Sequence, residues 1–530
     1  MSQPPSASAP PYPVQGPAAP PPGHAWPAPP YPPPPMRGRT AWRFWPDVPG
    51  GAPIGVYAAA ALAATLTVLT EPYAVVGVAG LLTGLVVAAA PVTVTLTSRA
   101  ARWRLLRPLP IAAGLAVLAL LAVGAVRGAG WLYVLSVLTA LGLASYGLAA
   151  GRRWPSVLLG AVAVPFGVLR GAPWLVRGLR LGADPGRRNR ALRAAVAVLV
   201  TALLLLIFGA LFASADAAFA RVLDSLLPDI SFPRFIGRAI VAVAVAGFAL
   251  GAAYVARTPP RLDRLSGAAE PRRGLHRWEW TLPLGALVLL FAGFVAVQLT
   301  VLFGGDEHVL RTAGLTYADY ARQGFGQLVL VSVLAIGVLA VVGRWASRAD
   351  AVDRWLVRLL PGALCLLALV VVASALYRLH LYQEAYGFTR LRLLVDAFEL
   401  WLGAMYVMIL IAGALLSGSW LPRAVVAAGV AALLGLASLN PDAFIAERNI
   451  VRYEHTGKLD TYHLSGLSAD AVPALDRLPE PQRSCALAPI AKDLAGNIEP
   501  WYAYNASRAR ARELLAKRPV DPDAPCATRW

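Results

Sequence analysis

Eleven apolar stretches run along this chain, near residues 53–70, 73–95, 108–126, 129–149, 193–213, 237–256, 281–304, 325–343, 359–378, 394–416 and 421–439. A helix needs about 20 predominantly apolar residues to cross a hydrocarbon core. Inside lipid no water satisfies the backbone, so only helices and closed barrels can span it. The stretches lack the roughly ten-residue alternation of barrel strands. The expected fold is therefore all-α: a polytopic integral membrane helical bundle of about 11 spans over residues 51–439. Only 15% of the residues are charged, against about a quarter in soluble globules, so lipid is the main solvent.

The net charge of +19 suggests nucleic acid at first. Its distribution argues for a membrane instead. With the N-terminus in the cytoplasm and eleven spans threaded, the cytoplasmic segments hold 27 arginines against 7 acids, while the opposite loops hold 9 against 8. This is the positive-inside pattern, and it predicts N-in, C-out orientation in a bacterial cytoplasmic membrane. The expected partner of the basic face is a layer of anionic headgroups, at about 1 kcal/mol per charge near the surface. Arginines divided among short loops do not form the continuous basic stripe of a nucleic-acid binder.

Residues 1–40 contain 16 prolines. Proline donates no backbone hydrogen bond and at this density builds no core, so residues 1–50 are expected to be a disordered cytoplasmic arm of polyproline-II character. It serves either as a tether or as a docking arm for a proline-recognising protein. Arg37, Arg39, Trp42, Arg43 and Trp45 then mix cations and aromatics in the manner of an interfacial anchor. The segment 156–181, with Arg170, Arg177 and Arg180 opposite apolar residues, predicts a helix lying in the interface. The stretch 214–233 is similarly amphipathic and predicts a lid-like helix. Residues 440–530 are more polar and carry 12 basic against 12 acidic residues, predicting an extracytoplasmic helical tail. Asn440-Pro441 reads as a helix start, and Cys485 and Cys526 form a candidate disulfide on that oxidising side.

No hydrolase, metalloprotease or phosphate-loop motif occurs, and neither a metal site nor a cofactor is predicted. Chemistry concentrates at the outer ends of spans seven to eleven. Asp396 and Glu399 lie three residues apart and share one helix face, and acids inside a membrane are costly and commonly functional. Asp319, Tyr320, Arg322, His380, Tyr382, Arg390 and Arg392 fall nearby. Two readings follow. Either these groups converge on an outward-facing polar site, or Asp396 and Glu399 pair with Arg390, Arg392 or Arg322 to hold helices in register. The leading functional expectation is a non-enzymatic sensor or binding component. A secondary transporter of a small molecule or lipid comes second, and an intramembrane enzyme acting on lipid or cell-wall precursors third.

The strings Leu302-Phe303-Gly304-Gly305, Thr316-Tyr317-Ala318-Asp319-Tyr320, Tyr386-Gly387-Phe388-Thr389-Arg390, Asn440-Pro441-Asp442-Ala443 and Leu467-Ser468-Ala469-Asp470 add a resemblance. Together they resemble the bacterial membrane family called domain of unknown function 4173, close to family 4153, over roughly residues 100–515. The resemblance implies a polytopic membrane protein with an extracytoplasmic tail, and it carries no activity or ligand with it.

Overall fold

The computed structural model describes residues 44–70, 77–179, 201, 208, 212, 232–264, 276–303, 325–346, 350–496 and 499–521, with 524 and 526, residue 49 excepted. The described part from Phe44 onward is one compact unit. Its helices are α1 (Ile54–Leu69), α2 (Gly77–Thr97), α3 (Arg99–Leu105), α4 (Pro108–Val126), α5 (Gly130–Ala149), α6 (Trp154–Ala161), α7 (Ala163–Gly178), α8 (Phe232–Arg257), α9 (Arg277–Phe303), α10 (Phe325–Trp345), α11 (Ala351–Tyr386), α12 (Arg390–Ala414) and α13 (Leu421–Leu439). The tail adds α14 (Pro441–Thr456), α15 (Thr461–Ser465), α16 (Val472–Leu475), α17 (Gln482–Ala495) and α18 (Ala506–Lys517).

Among the described residues nine helices are long and apolar enough to cross a membrane. They coincide with nine of the eleven expected stretches, and the protein is a multi-pass membrane protein. The stretch 193–213, residues 201, 208 and 212 apart, lies outside the described residues, as do the arm 1–43 and most of 214–233. The first stretch forms α1, which has only 16 residues. At 1.5 Å per residue that is about 24 Å, short of a ~30 Å core. α11 is the opposite case: its 36 residues extend about 54 Å, so it projects beyond the hydrocarbon.

Two sequence expectations are corrected by packing. The 156–181 segment is not one surface helix but the pair α6 and α7, bent by 69° at Val162. α7 packs into the bundle with Trp174 only 2% exposed. Small residues allow it: a Cβ on Gly251 would stand 2.4 Å from the Val164 carbonyl oxygen of the facing helix, the close approach that glycine provides in membrane helices. Trp45, expected at the interface, is buried at 3%. Its ring lies 5.8 Å from that of Tyr254, and its indole N–H donates to the Thr258 carbonyl at 2.8 Å. Tertiary contacts have drawn an anchor-like residue into the core.

The core forms connected clusters. One unites α1, α2, α7 and α8 around Val56, Ala60, Val164 and Ala253. A second unites α9 to α12 around Leu364, Ala368, Val372 and Tyr406. The largest joins bundle to tail: Val123, Leu132, Leu393 and Leu436 pack with Ile445, Leu464, Leu475 and Leu487. The tail thus shares its core with one end of the bundle. Within it, Arg483 is 1% exposed and donates to Asp476 at 2.8 Å and to the Arg518 carbonyl at 2.6 Å. A disulfide joins Cys485 to Cys526 across 41 residues.

Candidate functional site

Two polar assemblies occupy the ends of α9, α11 and α12 and the joint with the tail. The first lies inside the bundle. α11 directs Ser374, Arg378 and Gln383 toward its neighbours, because these residues share the face that buries Val371, Ala375 and Leu379. Arg378 donates to Gln298 of α9 at 2.7 Å, and the Ser374 hydroxyl reaches the same oxygen at 3.4 Å. Gln383, buried at 3% exposure, donates to the Asp396 carboxylate of α12 at 2.6 Å. One turn deeper is Glu399, with no exposed surface. Neither of its carboxylate oxygens has a hydrogen-bond partner. Counted from Arg390, it lies about 14 Å along the helix axis. An isolated buried charge costs several kcal/mol even after relaxation. A carboxyl group here therefore calls for a proton, a cation or a donor brought by something else.

The second assembly is the joint between bundle and tail, where side chains cap helix ends that their own helices leave unsatisfied. Asp442, in the first turn of α14, is fully buried. It accepts from Arg390 Nε at 2.9 Å and Nη2 at 2.5 Å, from Trp131 Nε1 at 3.2 Å and from the Ser468 N–H at 2.9 Å. Burial alone would push its carboxyl up, but the bonds and charge of Arg390, with Ser468, hold it below the usual carboxylate range. Asp470 accepts from the N–H groups of Gly128 and Ala129 at the start of α5, at 2.7 and 2.9 Å. Here burial wins over the bonds from Ser507, Ser468 and Gly128, and the carboxyl is raised. Asn505 donates to the Gly124 and Arg127 carbonyls at the end of α4, at 2.8 and 2.7 Å. Arg127 in turn caps α13 through the Ala437 and Ser438 carbonyls, at 2.7 and 3.0 Å.

A matching grip holds the α11–α12 turn. The Asn449 amide accepts from the Phe388 N–H at 3.0 Å and donates to its carbonyl at 2.9 Å. Arg452 donates to the Glu384 and Ala385 carbonyls at the end of α11, at 3.0 and 2.7 Å. Gly387 makes this approach possible. Its φ is +84°, and a Cβ there would meet Asn449 Oδ1 at 2.4 Å.

The residues singled out from sequence divide between these assemblies. Asp396 and Glu399 face the bundle interior. Arg390 belongs to the tail joint through Asp442. Arg392 donates to the Gly387 carbonyl and stacks 4.3 Å over the Tyr382 ring. His380 is exposed and lies 3.2 Å from Glu384. Asp319, Tyr320 and Arg322 lie outside the described residues. Among the described residues neither acid pairs with Arg390 or Arg392: one takes Gln383 and the other takes no donor. Sequence reasoning gave no site role to Asp442, Asp470, Asn449, Asn505 or Trp131, although Asp442 and Asp470 stand in the strings that carry the family resemblance. A further signal was an acid placed just after Asn440-Pro441, in the first turn of a helix where an anion is favoured.

The family model described as "Domain of unknown function (DUF4153)" matches residues 112–478, more than two thirds of the chain. The chain belongs to this family. The match is thus to 4153, which the sequence resemblance placed beside 4173. It spans α4 to α13 and α14 to α16, so Arg390, Glu399, Asp442 and Asp470 all fall within it. The disulfide and Asn505 lie beyond its end. Neither a curated protein nor a solved structure matches the chain.

Proposed function

We propose that this chain is a non-enzymatic binding or sensing component of the bacterial cytoplasmic membrane, whose site is the polar interior between α9, α11 and α12. The observation that carries this reading is the fully buried Glu399 carboxylate without a hydrogen-bond partner. Ionisable groups within membrane-spanning helices usually face an ion or ligand path. Asp396, which holds Gln383, lies one helical turn away on the same helix, and the class of ligand is a cation or a small molecule presenting hydrogen-bond donors. The arginine distribution supports N-in, C-out orientation, with the site toward the outer end of the bundle and the tail outside. Anionic headgroups then meet the basic face, and the proline-rich arm is free to meet a cytoplasmic protein.

The test uses purified protein, with sodium, potassium and ammonium ions as probes and the thermal midpoint as readout. Wild type is expected to be stabilised by at least one of these ions. Glu399→Gln, nearly isosteric and uncharged, should accumulate normally and lose that response. An identical response in the variant removes Glu399 from the site. A variant that fails to accumulate makes the residue structural. Orientation is read separately: an impermeant thiol reagent applied to intact cells should label Cys485 and Cys526 only after reduction.

The same buried, unpartnered carboxylate favours a second reading, an ion-coupled transporter. Ion-driven flux in proteoliposomes, abolished by Glu399→Gln, would replace sensing with transport.

A further inference from the structure

The short helix α3 lies between two membrane spans. Only Ser98 separates it from α2, and only Leu106 and Arg107 separate it from α4, so it cannot leave the level at which those spans end. Ala101 is its buried residue. Arg104 fastens it to α8, donating to the Ala256 and Arg257 carbonyls at 3.2 and 2.8 Å, and Arg257 donates back to the Ser98 hydroxyl. Positions i, i+3, i+4 and i+7 share a helix face, and here they are Arg99, Arg102, Trp103 and Leu106. That face is open: both arginines are exposed, Trp103 to 73% and Leu106 to 57%. Among the described residues none of Arg99, Arg102, Arg104, Arg107 and Arg257 pairs with an acid. Burial, and then the charges of Arg257 and Arg107, push the Arg104 guanidinium below its ordinary value, as neighbouring like charges without a counterion do.

We propose that α3 binds an anionic glycerophospholipid, whose headgroup phosphate meets Arg99 and Arg102 and whose apolar part rests against Leu96, Trp103 and Leu106. Guanidinium groups present paired donors that suit phosphate oxygens, and the uncompensated charge of Arg104, Arg107 and Arg257 adds a field of the same sign. The apolar neighbours select a lipid over other anions. Leu96, in the last turn of α2, is 83% exposed, and leucine and tryptophan interleaved with arginine is the pattern of a helix lying at a bilayer surface. A nucleic acid or an acidic protein would satisfy the charge and leave these side chains in water. The cluster gives the headgroup contact proposed above a definite place. Its leaflet rests on the N-in orientation, whereas the binding itself does not.

The test equilibrates the full chain in mild detergent with equal amounts of phosphatidylglycerol and phosphatidylcholine, re-isolates it and quantifies the bound lipids by mass spectrometry. Wild type should prefer phosphatidylglycerol. Arg99→Gln combined with Arg102→Gln should lower that preference by up to about thirtyfold, the equivalent of two charges at ~1 kcal/mol each. Arg344→Gln combined with Arg358→Gln removes the same charge from α10 and α11 and should leave the preference unchanged. All four side chains are exposed, so neither pair endangers folding. An unchanged preference in the first pair, or an equal loss in both, overturns the site, since only total charge would then matter. Equal binding of the two lipids by wild type overturns the selection of an anionic headgroup. Displacement of the bound lipid by inorganic phosphate at constant ionic strength would assign the arginines to a soluble anion instead.

Discussion

Removing the Asp442 carboxylate should undock the tail from the bundle. Asp442 is fully buried and accepts four hydrogen bonds, two of them from Arg390. Arg390→Met removes both charge-assisted bonds and leaves the carboxylate with Trp131 and Ser468, an expected loss of about 3 kcal/mol. Asp442→Ala costs more, about 4–5 kcal/mol, because it also orphans the Trp131 and Ser468 donors and strips Arg390 of its partner. The Arg390 side chain keeps 35% of its surface exposed and can rehydrate, which limits the penalty on its side. Once either partner is gone the second substitution has less to break. The double variant should therefore lose about 5 kcal/mol, giving a coupling of about 2–3 kcal/mol. The assay is amide hydrogen exchange in detergent, followed at residues 441–456 of α14. Protection there should fall by roughly a thousandfold in Asp442→Ala, while Leu364 and Ala368 in the α11 core stay protected. Additive single effects, or unchanged exchange in α14, would refute the idea that this pair fastens the tail.

The turn between α11 and α12 gives a second prediction. Gly387→Ala should cost about 2 kcal/mol or more, since it combines a positive φ with a clash against Asn449, whereas Gly457→Ala, at φ +68° with open space around it, should cost about 1 kcal/mol; thermal midpoints compare the two. Cys526→Ser should lower tail stability by roughly 3–4 kcal/mol or less, as expected for a loop of this length, measured by protease cleavage of the tail with and without reductant. Acid should act through Asp442 and Asp470 in opposite senses. The lowered carboxyl of Asp442 stabilises the joint above the unfolded carboxylate value of about 3.9, and that contribution disappears as pH falls through its lower folded value. The raised carboxyl of Asp470 favours the joint while protonated, and that contribution is lost as pH rises from about 3.9 through its folded value. Asp442→Asn should thus erase the acid-induced release of the tail, and Asp470→Asn should flatten the change on its less acidic side; proteolysis across a pH series separates them.

Sequence alone determined the class of molecule, because apolar length is a local property and lipid permits few backbone solutions. The same holds for the tail's helices: Pro441 opens α14, Gly457 closes it in the left-handed conformation, and Ser468 caps the short turn that follows. What the chain could not disclose was pairing over distance. Asp396 and Glu399 are three residues apart, with Arg390 and Arg392 close upstream, so local spacing suggested ion pairs among them. Tertiary structure gave Arg390 to Asp442, 52 residues away, and Gln383 to Asp396, and left Glu399 without a donor. Asp470 and Gly128, 342 residues apart, are joined only because the tail folds back over the α4–α5 turn. Trp45 and the bent α6–α7 pair show the same limit. Aromatic and arginine patterns describe what a segment would do at a free interface, and packing decides whether it meets one.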